Sequence, residues 1–575
     1  MTKTPRKPKA AKEAEKNART VSTPVLLKNV GRAAALLILA GISSPVSQLS
    51  LSPVYGSIPS ALFHQRAITV TALLAFIAKG PLKRYFPSNI SDYIAIIAYW
   101  IPVIQFLLFP YSSKMGPEFG PFITELVTYL PLLFLSVHSA GELLESIDLS
   151  QLHPTIAEMA PAVGSYVTVT TISKLFTSIL PQYIGTHLSF TRLGLQMGMG
   201  SALAFVSPSR LILLAVPAII HTMRANPHYT SERAVQLANS TLQVQNFTLL
   251  DRQESLTGYI SVVEGQDSGF RVLRCDHSLL GGEWLVTPER AAQGQVIPEP
   301  IFSVFAMLEA VRLMEIGDDS LKIETRPDTQ KSALVIGLGI GTAPNSLISH
   351  NINTTIVELD PVVHHFATKY FNLSKNHTAV IDDAVFYVEE KSHTNPGSFD
   401  YIIHDVFTGG AEPVMLFTLE FLEGLKKLLT EDGVVAINYA GDLSLDSTIL
   451  IITTIHAAFP ACRLFRDNPA PVPNQPWKPD FVNMVVFCAK NDLGKGRAAI
   501  HFREPTEDDF RGSLAKRAHL MPQAKLEIGF GLEVDREKVL KRGETAKLEQ
   551  FQNKGALSHW RIMRTVLPDA VWEMW

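Results

Sequence analysis

Cysteine is scarce in this chain: 575 residues carry three, at Cys275, Cys462 and Cys488. They stand so far apart that their spacing suggests neither a disulfide framework nor a clustered metal site, and a reducing compartment suits them. Also missing at the front is the short apolar core followed by small residues that marks a cleaved secretory signal. Acidic residues are few there too, since Lys3, Arg6, Lys7, Lys9, Lys12, Lys16, Arg19, Lys28 and Arg32 are opposed only by Glu13 and Glu15. The whole-chain balance, a net charge of -3, hides this basic front. Residues 1–32 read as a basic, flexible tail ahead of an uncleaved anchor.

Charge is scarce again from Ala33 to about Met223, where apolar runs follow one another. Crossing a bilayer as a helix takes roughly 20 apolar residues. The runs Ala33–Val54, Tyr93–Phe109, Phe122–Val137 and Leu193–Ile220 meet that test best, and Ala67–Ala78 and Tyr166–Leu180 are weaker candidates. A soluble helical core built from so many charge-poor runs would lack the polar surface to solvate it. The expectation is a membrane domain of about six spans over 33–223, with the bilayer as a partner. No internal charged pair is read among the spans. The basic tail and Lys79, Lys83 and Arg84 place the amino terminus on the cytoplasmic side by the positive-inside bias. The stretch holding Glu142, Glu145, Asp148 and Glu158 carries no lysine or arginine to support that alternation. Sequons begin at Asn239 and Asn246, and they matter only if that side is lumenal.

After Arg224 the pattern changes to short β-rich runs and charged helices. A linker and small β-unit occupy 224–300, with Gly258–Val263 and Arg271–Cys275 as antiparallel strands. Over 301–490 a βα alternation follows, with strands at Ala333–Ile336, Thr354–Val357, Ala379–Ile381, Tyr401–His404 and Val434–Asn438. That alternation is the pattern of a doubly wound, Rossmann-like α/β domain. Residues 491–575 form a C-terminal extension of unassigned function, whose tryptophans are expected to pack on the soluble domain.

The chemistry clusters at the ends of these strands. Gly337, Gly339 and Gly341 follow the first strand, where glycine permits a sharp turn and close approach of a ligand to a helix start. Glu358 and Asp360 end the second strand, where a carboxylate can accept hydrogen bonds from both ribose hydroxyls. Pro361 suits the first turn of the next helix. Asp382, Asp383 and Ala384 follow the third strand; an acid there either reads an adenine amino group or caps a helix. Asp405 leaves the fourth strand for the Gly409-Gly410 loop and is the candidate catalytic acid or base. His404, on the alternate face, is expected to pack. No metal site is expected.

In order and spacing these motifs resemble the spermidine and spermine synthase family, the polyamine aminopropyltransferases, over about 253–490. The likeness includes Asp405-Val406-Phe407-Thr408-Gly409-Gly410 and Phe417-Thr418-Leu419-Glu420-Phe421, and it is closest to the subgroup fused to membrane segments. The resemblance implies that Glu358 holds a ribose, Asp383 and Ala384 an adenine, and that Asp405 deprotonates a small-molecule amine. The co-substrate it implies is decarboxylated S-adenosylmethionine or S-adenosylmethionine itself. It also implies a cytoplasmic transferase domain, no nucleic-acid partner, and a homodimer formed through the small β-unit. Departures fall on the acceptor side. Family members carry a Tyr-His-Glu run where this chain has Val304-Phe305-Ala306, glutamines at Gly258 and Leu280, and a second acid at Thr408. Aminopropyl transfer leads the reading; the alternatives are a methyltransferase using S-adenosylmethionine and a non-catalytic nucleoside-binding module on a membrane bundle.

Overall fold

The computed structural model describes residues 23–77, 89–145, 147, 153–317, 326–406, 413–459, 461–469, 481–491, 500–529 and 538–575. Most of the basic tail, Lys79, Lys83, Arg84, Asp148, Thr408, Gly409 and Gly410 lie outside the described residues. The chain divides into two units, one holding the chain up to Leu51 and Ser60–Ala234, the other Ser52–Pro59 and Val235–Trp575.

The first unit is helical: α1 (Thr23–Tyr55), α2 (His64–Ile77), α3 (Ile94–Leu108), α4 (Ser112–Val127), α5 (Tyr129–Leu144), α6 (Pro154–Ile179), α7 (Arg192–Val206) and α8 (Val216–Arg224). Two expected spans prove to be broken. Phe122–Val137 straddles Thr128, whose backbone (φ -122°, ψ -87°) separates α4 from α5. Leu193–Ile220 ends as a helix at Val206, because Pro208 supplies no N–H and disfavours helical geometry at Ser207 before it. Against six expected spans, three stretches among the described residues are long and apolar enough to cross a membrane: Pro24–Tyr55, Ser57–Ile77 and Ile90–Val127.

A buried histidine–glutamate contact, not read from the sequence, lies inside this unit. His64 Nδ1 stands 2.8 Å from Glu125 Oε2, and both side chains are buried. Ser47 donates to the same carboxylate at 2.7 Å, and His64 Nε2 lies 2.7 Å from Ser44 Oγ. The residues are 61 positions apart, which is why no local pattern reveals the pair.

The second unit begins with an antiparallel sheet, β1 (Phe247–Glu254), β2 (Tyr259–Gly265), β3 (Phe270–Cys275), β4 (Ser278–Trp284) and β5 (Glu299–Pro300), paired in that order. The main domain alternates β6 (Ser332–Ile336), α9 (Thr342–Ser349), β7 (Asn353–Glu358), α10 (Pro361–Tyr370), β8 (Thr378–Ile381), α11 (Ala384–Thr394), β9 (Phe399–His404), α12 (Leu419–Leu428), β10 (Leu429–Asp442), α13 (Asp446–Ala458), β11 (Ala461–Arg466), β12 (Phe481–Ala489) and β13 (Glu527–Ile528). All five expected strands are present. They lie in the order β8-β7-β6-β9-β10 as a parallel run, extended by antiparallel β12, β11 and β13. Strands β6 and β9 are apolar and buried because helices cover both sheet faces, which gives two separate apolar cores. The chain order reverses between β6 and β9. Open α/β sheets bind their ligands at that switch point, beyond the strands' carboxyl ends.

Two sequence expectations change here. Cys462 and Cys488 are bonded to each other; 26 residues apart in sequence, they face one another as direct partners of β11 and β12. Spacing alone concealed this, because cross-strand pairing is set by register rather than by distance along the chain. The C-terminal extension is part of the second unit: α14 (Ala546–Val566) and the residues after it bury Trp572 and Trp575 against β1–β4. Arg274 stacks on the Trp572 ring at 5.0 Å and donates to the Val571 carbonyl. The tryptophans therefore pack on the soluble domain, as expected.

Candidate active site

Three left-handed glycines shape the turn after β6. Gly337 has φ +82°, Gly339 +55° and Gly341 +86°. A Cβ at Gly337 would sit 2.2 Å from the Asp405 carbonyl oxygen, and one at Gly339 2.5 Å from the Leu280 carbonyl oxygen. No side chain fits either place. This close approach brings the ends of β6 and β9 together, and Asp405 N–H donates to the Ile336 carbonyl at 2.9 Å. A cavity of about 360 Å³ opens above them, lined by Gly337, Gly339, Glu358, Asp382, Asp383, Ala384 and Asp405. The volume falls within the range that takes a drug-sized or nucleoside ligand. Gly341 is not among the lining residues. It stands at the N-terminal boundary of α9, with its missing Cβ facing Leu373.

Glu358 is buried and held by two backbone donors. Leu338 N–H reaches Oε2 at 3.0 Å and Asp360 N–H reaches Oε1 at 2.8 Å. Burial pushes its carboxyl up to about 7. Its neighbour Asp360 caps α10 through the Val362 N–H and accepts from Ser255 and Thr257, tying the small β-sheet to the domain; Pro361 opens the helix as expected. Asp383 caps α11 through the Val385 N–H at 2.8 Å and also lines the cavity.

Asp405 is raised to about 6, burial being the cause, and it accepts from Asn438 Nδ2 at 2.7 Å. His404 takes the other face of the sheet, within hydrogen-bond distance of the Leu416 carbonyl at 3.0 Å and edge-on to Phe417. Burial holds it down at about 4. It packs, as expected.

The far wall is apolar, made by Leu280, Phe302, Val304, Phe305, Ile562 and Met563. Of the departures from the aminopropyltransferase pattern, Leu280, Val304 and Phe305 lie in this wall and bring no charge to it. Thr257, Asn438, Asn483 and His559 are polar lining residues that escaped the sequence reading. Asn438 follows the last residue of β10 that pairs in parallel with β9, at the carboxyl edge of the parallel strands. Asn483 comes from an antiparallel strand that the switch-point rule does not cover. His559 projects from α14, within hydrogen-bond distance of Ser278 Oγ at 3.1 Å and lowered to about 4 by burial. Nothing local in the sequence marks it. Among the described residues there is no cluster that could hold a metal ion.

A profile of the spermine/spermidine synthase domain matches residues 320–465. A second likeness runs nearly end to end. The N-terminal histidine N-methyltransferase of Emericella nidulans is 44% identical over 552 residues, 94% of this chain and 97% of that protein. This chain belongs to the family of that N-terminal histidine N-methyltransferase. A polyamine aminopropyltransferase of Vibrio vulnificus is 36% identical over 109 residues, 18% of this chain and 36% of that protein. A probable spermidine synthase of Corynebacterium glutamicum superposes with a TM-score of 0.33 at 16% identity, covering 50% of this chain and 98% of its own. Membership of the histidine N-methyltransferase family reverses the order of the two enzymatic readings. The aminopropyltransferase likeness is confined to part of the nucleoside-binding domain, which both chemistries share, so neither polyamine chemistry nor the decarboxylated donor follows from it.

Proposed function

We propose that this chain is an S-adenosylmethionine-dependent methyltransferase acting on a nitrogen of a histidine at the amino terminus of a protein. The full-length likeness to the Emericella nidulans enzyme carries the reading. The cavity suits it. Glu358 would hold the ribose through the lone pairs its backbone donors leave open, Asp383 would take the adenine amino group, and Gly337 and Gly339 let the nucleoside lie close to the backbone. Bound there, S-adenosylmethionine supplies an electrophilic methyl group on a sulfonium.

The acceptor's own chemistry picks the reacting nitrogen. An imidazole titrates near about 6.5 and an α-amine near about 7.7–8.0, so at neutral pH the ring keeps a lone pair while most of the amine is ammonium. The ring nitrogen forms the new bond to carbon as the carbon–sulfur bond breaks toward sulfur. The proton on the other ring nitrogen of the resulting cation passes to the Asp405 carboxylate, whose Oδ2 is not used by Asn438. The apolar wall of Phe302, Phe305 and Leu280 accommodates a flat ring. We read the helical unit as a bilayer anchor on its three long apolar stretches. Retention of the full chain in the membrane pellet after alkaline extraction tests that part, and release would refute it.

The test of the reaction is incubation of the full chain with S-adenosylmethionine and a peptide that begins with histidine, followed by fragmentation mass spectrometry. One methyl group on the histidine ring is expected. Methylation elsewhere on the peptide would refute the assignment.

A further inference from the structure

On the β10–β12 side of the cavity, two asparagine amides are held in a fixed orientation by carboxylates. Asn438 is 7% exposed and lines the cavity; its Nδ2 is spent on Asp405, and its Oδ1 is buried with no hydrogen-bond partner. Burying an amide oxygen without a partner is costly, so such an atom in a ligand cavity points to a donor that arrives with the ligand. Asn483 repeats the arrangement one strand over. Its Nδ2 donates to Asp467 Oδ2 at 3.2 Å, which fixes the amide so that Oδ1 is turned away from the carboxylate.

The sheet sets these two amides side by side. Asn438 and Ala440 lie on one face of β10, and Ala440 pairs directly with Asn483 of β12. Asn438 and Asn483 are therefore diagonal cross-strand neighbours, roughly 7 Å apart by sheet geometry. All three of Asn438, Ala440 and Asn483 line the cavity. Behind them Asp467 is nearly buried, and its partners are Asn483, Asn468 and Ser303, with no cation among the described residues. Its negative charge further favours a positive group in front of Asn483.

We infer that Asn438 and Asn483 form a subsite that recognises the free α-ammonium group of the acceptor's first residue through their amide oxygens, with Asp467 as the positioning residue that sets the Asn483 amide. This rests on the proposed reaction and deepens it. It explains how a histidine at a chain terminus would be told from one inside a chain: an internal histidine brings a peptide N–H and no charge. An acceptor whose amine is acetylated leaves Asn438 Oδ1 without its cationic partner.

The experiment uses the full chain with S-adenosylmethionine and three peptides: one beginning with histidine, the same peptide acetylated on its α-nitrogen, and one with histidine at the third position. Peptide binding is also measured on protein saturated with S-adenosylhomocysteine, so recognition is read without turnover. The free-amine peptide should bind and react at least about tenfold better than either of the others, the scale of a hydrogen bond to a charged group. Asn483→Ala should remove most of that preference by raising KM for the free-amine peptide. The free-amine and acetylated peptides should then bind comparably. Asp467→Asn, which keeps the packing and removes the charge, should do the same more weakly; a merely structural role would lower kcat for all three peptides alike. Equal binding of free and acetylated peptides by the unaltered chain would overturn the inference even if the histidine is methylated. Absence of methylation with a preserved binding preference would instead overturn the proposed reaction.

Discussion

Asn438 Nδ2 donates to Asp405 Oδ1 at 2.7 Å, an interaction that couples β10 to the residue that follows β9, its parallel neighbour, beside the switch point of the sheet. It fixes the carboxylate with Oδ1 occupied and leaves Oδ2 for the reacting group. Asp405→Asn should therefore lower kcat by about 10²–10⁴, the range for losing a positioned general base. Nucleoside affinity, measured by calorimetry with S-adenosylhomocysteine, should change little. Unaltered turnover in this variant would remove Asp405 from the chemistry.

The same substitution should stabilise the unliganded protein at high pH. The folded-state value of Asp405, about 6, lies above the ordinary carboxyl value of 3.8. A raised folded value means that stability is fully present below the unfolded value and is lost as pH rises through about 6. At pH 8 Asp405→Asn should gain up to about 1–2 kcal/mol, less than the full two-unit shift because the side chain is partly solvated. At pH 3.5 thermal unfolding of the two proteins should coincide.

Nucleoside binding should carry its own pH dependence. Glu358, raised to about 7, must be ionised to accept from two ribose hydroxyls. Affinity for S-adenosylhomocysteine should rise as pH increases through about 7 and then level off. Glu358→Gln should weaken binding by about tenfold to a hundredfold at pH 8 and flatten the profile. A profile unchanged by the substitution would assign the titration to another group.

Gly337→Ala should damage stability and binding together. The residue sits at φ +82°, and the added Cβ would meet the Asp405 carbonyl oxygen at 2.2 Å. A loss of about 2 kcal/mol or more is expected from the left-handed backbone and the forced separation of β6 and β9. Gly341→Ala, whose Cβ would press on the Leu373 side chain instead, should affect stability with less effect on nucleoside affinity. Denaturant titration with and without S-adenosylhomocysteine separates the two effects.

Trp572 is fully buried against the small sheet and the guanidinium of its residue Arg274, near the end of the segment that begins with α14. Trp572→Ala should cost about 3–5 kcal/mol, as large-to-small changes in a core do. Because α14 also carries His559, Ile562 and Met563 into the cavity, acceptor affinity should fall as well.

The nucleoside half of the site was legible in the sequence because each of its residues sits at the end of a short apolar strand, where periodicity fixes position to within a residue or two. Glu358, Asp383 and Asp405 come together for that reason. Gly341 shows the limit of a glycine motif: spacing reveals that the chain turns, but not which glycine lines the cavity. Asn483, His559 and the Cys462–Cys488 bond depend on antiparallel register and on α14, a helix far beyond Asp405 in the chain, and no local pattern encodes either. The broken helices at Thr128 and Ser207 were hidden by apolar composition, which measures solvent preference and is blind to backbone continuity.

The measurement that bears most directly on the central claim is the nucleoside product. Full-length protein is incubated in parallel with S-adenosylmethionine plus a histidine-initiated peptide and with decarboxylated S-adenosylmethionine plus a panel of polyamines, and products are resolved by mass spectrometry. The account predicts S-adenosylhomocysteine that depends on both the peptide and Asp405, and no methylthioadenosine from the second reaction. Methylthioadenosine formed with a polyamine, and no S-adenosylhomocysteine with the peptide, would contradict it and restore aminopropyl transfer.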